Sequence, residues 1–205
     1  IAAGFRCIKL KIGAIDFDKE LHILKSIREK SKTIEIRVDA NGAFSPSESL
    51  EKLTQLTEFN LHSIEQPIKQ GFPETMNQLC KESPLPIALD EELIGKYTRE
   101  AKSETLDAIN PPYIILKPSL IGGIKGSKEW IELAEEREIK WWITSALESN
   151  IGLNAISQFV ATTGNTMFQG LGTGKLYTNN ISSPLSVEGD EIFYKQNLNW
   201  DLSGL

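Results

Sequence analysis

Five short, largely hydrophobic runs of this chain each end on a charged residue just before a turn, and the first two of them alternate between hydrophobic and polar residues. In the first run, Ile8, Leu10 and Ile12 share one face of an extended strand, while Lys9 and Lys11 share the other. An amphipathic surface strand would alternate in the same way, so a barrel is favoured only because the four later runs also end on a charged residue. The charged residues at the five ends are Lys11, Asp39, Glu65, Asp90 and Lys117.

The three acidic ends recur at near-equal intervals of 26 residues, from Asp39 to Glu65, and 25 residues, from Glu65 to Asp90. Such an interval is typical of one unit of strand, turn, helix and turn in a parallel α/β protein. In a β/α barrel, the last inward-facing residue of each strand reaches the carboxyl-terminal mouth, where active sites lie. The pattern therefore predicts an α/β fold of the TIM-barrel type with three carboxylates around one mouth.

Amphipathic segments between the runs predict six helices. The clearest start is Ser45-Pro46, because serine caps a helix, proline suits its first position, and Glu48 can complete a capping box. The helices are predicted at 16–30, 46–56, 74–81, 97–106, 127–137 and 150–162. Two more strands are predicted at 140–145 and 167–171, and the total of seven strands is one short of a closed barrel.

The alternation of strands and helices stops near residue 184. We therefore predict a β/α barrel over residues 1–184 and a tail over residues 185–205 that packs outside the barrel. The chain also begins at Ile1, almost directly in a strand, so we expect that residues of the natural N-terminus are missing from this sequence.

A length of 205 residues, with 40% hydrophobic and 24% charged residues, is typical of a globular domain with a full core. The net charge of −6 argues against a nucleic-acid partner or an anionic membrane surface. No apolar run approaches the roughly 20 residues that span a bilayer, and no signal peptide is visible. Cys7 and Cys80 form neither a metal-ligand pair nor a disulfide framework, so a reducing cytoplasm is the expected location.

Lys9 and Lys11 face the same side of their strand, roughly 6–7 Å apart. Two ammonium groups at this distance disfavour each other's charge, and burial acts in the same direction. We therefore expect lowered pKa values, which a lysine needs in order to accept a proton near neutral pH. Lys11 is nearer the strand end and is the better candidate for the base. The alternative is a pair of surface lysines whose charged ends reach solvent.

Asp39, Glu65 and Asp90 are the candidate metal ligands. Oxygen donors without nearby histidine or cysteine favour Mg²⁺, with Mn²⁺ as the alternative ion. The other interpretation is that each acid caps the turn that follows it. Lys117 is expected across the mouth from Lys11, and a base, a cation and a metal together suit removal of a proton next to a carboxylate.

The motifs around these residues resemble those of the enolase superfamily, in its muconate-lactonizing branch, and within it most closely the o-succinylbenzoate synthase family. They are Lys9-Leu10-Lys11, Asp39-Ala40-Asn41, Ile64-Glu65-Gln66-Pro67, Leu89-Asp90-Glu91 and Leu116-Lys117-Pro118. The resemblance implies strands two to eight of the family barrel, with the first strand and the N-terminal capping domain outside this sequence. The loops of that capping domain, which close over the substrate in the family, are then outside this sequence as well.

The resemblance also implies the roles of the charged residues. Asp39, Glu65 and Asp90 would bind Mg²⁺, Lys11 would abstract the α-proton, Lys9 would assist Lys11, and Lys117 would stabilise the enediolate. The implied reaction is the dehydration of a succinyl-hydroxycyclohexadiene-carboxylate to 2-succinylbenzoate in menaquinone biosynthesis. The partner is then a small-molecule carboxylate. The candidate substrate-binding residues are Arg37, Ser145, Gly172 and Thr173.

Two other functions remain open. An N-acylamino acid racemase or a dipeptide epimerase of the same superfamily would use the same metal and lysines. The Asp-x-Asp of the epimerases is replaced here by the glycine-rich stretch 170–174, which counts against an epimerase. From a different class, the chain could be a catalytically incompetent barrel fragment that serves in folding or interaction. The sequence leaves the oligomeric state open.

Overall fold

The computed structural model describes residues 1–173 and 177–203. Within these ranges, six parallel strands lie side by side in chain order, and each is followed by a helix. The strands are β1 (Cys7–Lys11), β2 (Glu35–Asp39), β3 (Ser63–Glu65), β4 (Ile87–Leu89), β5 (Tyr113–Leu116) and β6 (Lys140–Ile143). This arrangement is a partial TIM-type barrel, as the sequence pattern predicted.

The six predicted helices all form, with some boundaries shifted. They are α1 (Phe17–Lys30), α2 (Pro46–Leu56), α3 (Pro73–Glu82), α4 (Arg99–Ile109), α5 (Gly123–Glu135) and α6 (Asn150–Ala161). Helix α5 begins four residues earlier than predicted, in a glycine-rich stretch that resembles a turn in sequence. Gly126 is required there because a Cβ atom would lie 2.2 Å from the carbonyl oxygen of Ile121.

The two faces of the sheet pack differently. The outward faces of the strands carry residues such as Ile36, Val38 and Ile64, which are fully buried beneath the helices. The inward faces carry the polar residues of the predicted site, together with a small apolar cluster that includes Ile115 and Trp142. The alternation seen in the sequence thus separates a helix-covered layer from the barrel interior.

The strand predicted at 167–171 is wrong as a regular strand. Within this segment only Gly170 forms a bridge, and its partner is Thr144, the residue that follows β6. Two side chains replace the next ladder partners: Asn165 Nδ2 donates to the Trp141 carbonyl at 2.7 Å, and Gln169 Oε1 accepts from the Ile143 amide at 2.7 Å. The segment therefore lies beside β6 without forming a continuous ladder.

The predicted tail contains an antiparallel hairpin of β7 (Leu185–Glu188) and β8 (Glu191–Tyr194), which forms a sheet of its own. Asp190 in its turn pairs with Arg6 ahead of β1. The boundary at residue 184 stays a prediction, and residues 174–176 and 204–205 lie outside the described ranges. In the described part of the chain, every helix is too short or too polar to cross a membrane.

Candidate functional site

The register of the parallel strands brings the predicted charged residues to one edge of the sheet. Lys11 lies opposite Asp39, and Asp39 lies opposite Glu65. Glu65 in turn pairs with Ala88, so Asp90 lies two residues further along, just beyond the end of β4. Lys117 directly follows β5. All five charged ends therefore meet at the carboxyl edge of the strands.

Lysine ammonium groups alternate with the carboxylates along this edge. Lys9 Nζ donates to Asp39 Oδ2 at 2.8 Å and to Glu65 Oε2 at 2.7 Å. Lys117 Nζ contacts Asp90 and lies 3.5 Å from Glu65 Oε1. Lys11 Nζ contacts Asp39 and the side-chain oxygen of Asn41. Glu65 therefore lies between two ammonium groups, while Asp39 and Asp90 flank it.

Burial sets the protonation of the central carboxylate. The Glu65 side chain is almost completely buried. Burial raises its pKa to about 8, and the negative charges of Asp39 and Asp90 act in the same direction against the opposing lysines. Burial would also raise the pKa of Asp39, but Lys9 and Lys11 outweigh it, so that pKa is lowered. The site thus combines an ionised acid with one that is hard to ionise.

The prediction of a lowered pKa is wrong for Lys9. Burial lowers the pKa of Lys9, but Glu65 and Asp39 overcome this effect and raise it. The pKa of Lys117 is also raised, because Asp90 and Glu65 outweigh the burial of its ammonium group. A lowered pKa was expected from the repulsion between two neighbouring lysines, but the carboxylates of the adjacent strands have the larger effect. These carboxylates hold Lys9 and Lys117 in the charged form.

The donor chemistry of the three acids fits Mg²⁺. All are buried carboxylates at the ends of adjacent strands. The ionised form of Glu65 is unfavourable beside Asp39 and Asp90, and a bound cation would stabilise it. Among the described residues, no three acidic, histidine or cysteine side chains are gathered into a ready-made cation cage. Lysine ammonium groups lie between these acids instead, with Lys9 between Asp39 and Glu65 and Lys117 between Glu65 and Asp90.

Three of the four predicted substrate-binding residues line one cavity. The cavity has a volume of about 580 Å³ and lies between β1, the segment 166–173 and the hairpin of β7 and β8. Arg37, Gly172 and Thr173 line it together with Lys9, whereas Ser145 and the three acids do not. The substrate-binding roles of all four residues stay predictions.

The Arg37 side chain is held by the protein itself. Its Nε donates to Glu35 at 2.7 Å, its Nη1 donates to the Phe168 carbonyl at 2.9 Å, and its guanidinium lies 4.1 Å from the centre of the Trp142 ring. These contacts leave Arg37 only 5% exposed. They tie β2 to the segment at the opposite end of the sheet.

Sequence reasoning did not single out Asn41 or Glu148 as site residues. Asn41 accepts from Lys11 and donates to Glu91 Oε1 at 2.8 Å. The sequence did indicate a turn at Asn41, because asparagine tolerates the left-handed conformation that it adopts here with φ of 44°. A turn directly after β2 places its side chain at the same edge of the sheet as Asp39. Glu148 accepts hydrogen bonds from Ser119 and Ser145, and nothing in the local sequence indicates this contact.

Comparison with known proteins identifies the family. A family model described as enolase C-terminal domain-like matches residues 1–194. The chain is 60% identical over 191 residues to the o-succinylbenzoate synthase of Desulfotalea psychrophila, covering 92% of this chain and 52% of that protein. It is 31% identical over 170 residues to an L-Ala-D/L-Glu epimerase of Francisella tularensis subsp. novicida, covering 82% and 47%.

Solved structures agree with this result. The crystal structure of MenC from Desulfotalea psychrophila superposes with a TM-score of 0.88 at 58% identity, over 93% of this chain and 53% of that one. Muconate lactonizing enzyme from Pseudomonas putida has a TM-score of 0.85 at 24% identity, over 98% and 57%, and shows the fold alone. The chain spans about half the length of the relatives it matches. Since the family model covers nearly the whole chain, the chain belongs to the enolase C-terminal domain-like family.

Proposed function

We propose that this protein is a Mg²⁺-dependent carbon–oxygen lyase of the o-succinylbenzoate synthase type. It would convert a succinyl-hydroxycyclohexadiene-carboxylate into 2-succinylbenzoate in the cytoplasm, as a step of menaquinone biosynthesis. The observation that carries the proposal is the row of buried carboxylates and lysines at adjacent strand ends. The 60% identity to an o-succinylbenzoate synthase supports the choice of reaction.

Lys11 is the proposed base. Its side chain is 58% exposed, against 36% for Lys9 and 16% for Lys117, so it is the lysine best able to reach a substrate. It would take the α-proton, and the electron pair left behind would expel the neighbouring hydroxyl group. The family resemblance implies a syn elimination, in which both groups leave from one face, so the Lys11 ammonium would return its proton to the departing hydroxyl and release water.

Lys9 and Lys117 are proposed to act as permanent cations. Their raised pKa values support this role, since each stays protonated while Lys11 accepts a proton. Lys117 lies nearest Asp90, on the far side of Glu65 from Lys9. Its charge would stabilise the enediolate, while Lys9 would assist Lys11 through their shared contact with Asp39.

Asp39, Glu65 and Asp90 are the residues that would hold the Mg²⁺ ion, and Mn²⁺ suits the same oxygen donors. When bound, the ion would supply positive charge that binds the substrate carboxylate and stabilises the enediolate. Burial of Glu65 between like charges supports the assignment, because a cation would relieve the cost of ionising it.

The test combines metal titration with turnover. We expect Asp39→Asn and Glu65→Gln to weaken Mg²⁺ binding by roughly 100-fold, since each removes a charged ligand from a buried site. Isothermal titration calorimetry would measure the Mg²⁺ affinity of each variant. Glu104→Gln, at an exposed position on α4, is the control. Unchanged affinity in both site variants would contradict the ligand assignment. Metal binding without turnover would favour the incompetent fragment instead.

A racemase or epimerase is the second candidate. Two features support it: the 31% identity to an L-Ala-D/L-Glu epimerase, and the placement of Lys11 and Lys117 on opposite sides of Glu65. Two lysines on opposite faces of an α-carbon can remove and return a proton. Incubation in deuterated water with N-acylamino acids and with dipeptides separates the two functions. Deuterium incorporation into either substrate, without dehydration of the cyclohexadiene, would favour this candidate.

A further inference from the structure

The Glu148 carboxylate lies at a junction of mouth loops. Oε1 accepts from the Ser119 hydroxyl in the connection after β5 and from the Ala146 amide at 3.1 Å. Oε2 accepts from the Ser145 hydroxyl in the connection after β6. One carboxylate therefore joins two successive βα connections. Through Ser145 it also reaches Thr173, whose hydroxyl donates to Ser145 Oγ at 2.8 Å.

These contacts use up the hydrogen-bonding capacity of Ser145. A hydroxyl has one proton to donate and two lone pairs that accept. The Ser145 proton goes to Glu148, and its lone pairs accept from Thr173 and from the Leu147 amide at 3.0 Å. Ser145 is 5% exposed and does not line the cavity described above. Ser145 therefore has no proton left for a substrate carboxylate, and the proton of Thr173 is also committed.

The backbone is shaped around the Glu148 side chain. A Cβ atom on Gly152, in the first turn of α6, would lie 2.8 Å from Glu148 Cβ and 3.0 Å from its Cγ. Real side chains do not approach so closely, so glycine at this position leaves room for Glu148. Leu147 next to it adopts the left-handed conformation with φ of 69°, which is unusual for leucine. Burial opposes ionisation of Glu148, but the hydroxyls of Ser119 and Ser145 outweigh it, and the pKa is lowered.

We propose that Glu148 is a positioning residue that fixes the mouth loops after β5 and β6 and, through Ser145, the segment 168–173. Ser145 then acts through Glu148, and it does not bind the substrate directly. This inference rests on the proposed function for its effect on turnover. The fixing of the loops does not depend on which substrate is bound.

Glu148→Gln is the first test, because an amide has only one acceptor oxygen and cannot serve both hydroxyls. We expect KM for the cyclohexadiene substrate to rise about tenfold, the equivalent of one hydrogen bond to a charged group. kcat is expected to change less than about threefold and Mg²⁺ affinity to stay the same, since the lysines and the three acids are untouched. Gly152→Ala should also raise KM with little change in kcat, because the new methyl group would displace the Glu148 side chain. Glu104→Gln is the matched control.

A double-variant comparison separates positioning from direct contact. If Ser145 acts through Glu148, then Ser145→Ala combined with Glu148→Gln should raise KM no further than Glu148→Gln alone. Multiplied effects of the two substitutions would overturn the proposal, because Ser145 would then contribute independently. If Glu148→Gln fails to fold, Ser119→Ala removes one donor at an exposed position. It should raise KM about threefold in the same direction.

Hydrogen exchange keeps the inference separate from the proposed function. We expect Glu148→Gln to speed amide exchange in residues 119–121 and 144–149 by at least tenfold, whichever substrate the protein uses. Unchanged exchange in both segments would overturn the inference even if the dehydratase activity is present. Faster exchange in a protein that does not dehydrate the substrate would refute only the proposed function.

Discussion

Glu65 shows how burial and neighbouring charges control a single residue at the strand ends. Its pKa is about 8 in the folded protein, against 4.5 for an ordinary glutamate. Between these values the unfolded chain has released a proton that the folded protein still holds. The free energy of unfolding therefore falls as pH rises through this range, because the folded state binds more protons than the unfolded state. Glu65 thus opposes folding most strongly near and above pH 8.

Replacement of Glu65 by glutamine should remove this cost. We expect Glu65→Gln to have nearly the same Tm as the natural protein near pH 4.5, and a higher Tm as pH approaches 8. Thermal unfolding in a buffer with EDTA would measure the difference at each pH. Glu104→Gln, at an exposed position on α4, should show no such trend. A difference that shrinks as pH rises would refute the assigned direction of the Glu65 shift.

Lys11 has a different environment from the other two lysines, because it is the most exposed of the three. We expect Lys11→Ala to lower kcat by roughly 10³-fold or more, since a general base contributes up to about 10⁴-fold. Mg²⁺ affinity should change little, because the three acids remain. Steady-state kinetics with a parallel metal titration would test this, with Lys25→Ala on the exposed face of α1 as the control. Full activity in Lys11→Ala would remove Lys11 from the mechanism.

The turn between β1 and α1 illustrates how one element positions the site. Gly13 follows β1 with φ of 86°, and its amide donates to Glu20 Oε1 at 2.7 Å. The same oxygen accepts from the amides of Ala14 and Ile15, at 3.2 and 3.4 Å. A buried side chain from the first turns of α1 thus holds the loop that follows Lys11.

Gly13→Ala should destabilise the protein in two ways. Both Gly13 and Gly71 have positive φ, so alanine at either position costs about 1 kcal/mol of backbone strain. Only at Gly13 would the new Cβ meet another atom, Ala43 Cβ at 2.4 Å, which adds about 1–3 kcal/mol. Urea unfolding of Gly13→Ala and of the control Gly71→Ala would measure this difference in the free energy of unfolding. Adding Ala43→Gly to Gly13→Ala should recover part of the loss, and no recovery would contradict the steric explanation.

Across the whole molecule, Arg37 connects parts of the chain that are far apart in sequence. It reaches from β2 through the barrel interior to the carbonyl of Phe168, and it stacks on Trp142 of β6. The segment around Phe168 lacks a continuous ladder to β6, so this contact supports it from the other side. Arg37 therefore joins the second strand to the last segment of the described barrel.

Removal of this connection should be costly. We expect Arg37→Met to lower the free energy of unfolding by about 3 kcal/mol, because it leaves Glu35 without its partner and the Phe168 carbonyl unsatisfied. Arg99→Met is the control, since Arg99 forms only exposed ion pairs with Glu132 and Glu136, worth about 0–1 kcal/mol. Equal losses in urea unfolding would show that the interior contacts of Arg37 add little.

Much of the fold was predictable because its signals are local. The outward faces of the strands must be apolar to pack under helices, and this requirement appears directly as alternation around Ile36 and Val38. The start of α2 was predicted from Ser45 and Pro46, since a helix N-terminus is satisfied by the residues beside it. Regular spacing of acids predicted that the strand ends meet at one edge, because parallel strands share direction.

The contacts between distant residues could be read only from the folded chain. In the segment 165–169, the side chains of Asn165 and Gln169 form the hydrogen bonds to β6 that a strand would form with its backbone. Hydrophobic alternation in the sequence cannot distinguish these two kinds of hydrogen bond. The raised pKa of Lys9 depends on Glu65, which lies on a strand two positions away in the sheet. The order of residues along each strand thus determines which side chains face the barrel interior. Their partners, burial and protonation follow from the neighbours that folding brings within a few ångströms, since hydrogen bonds and desolvation act only at short range.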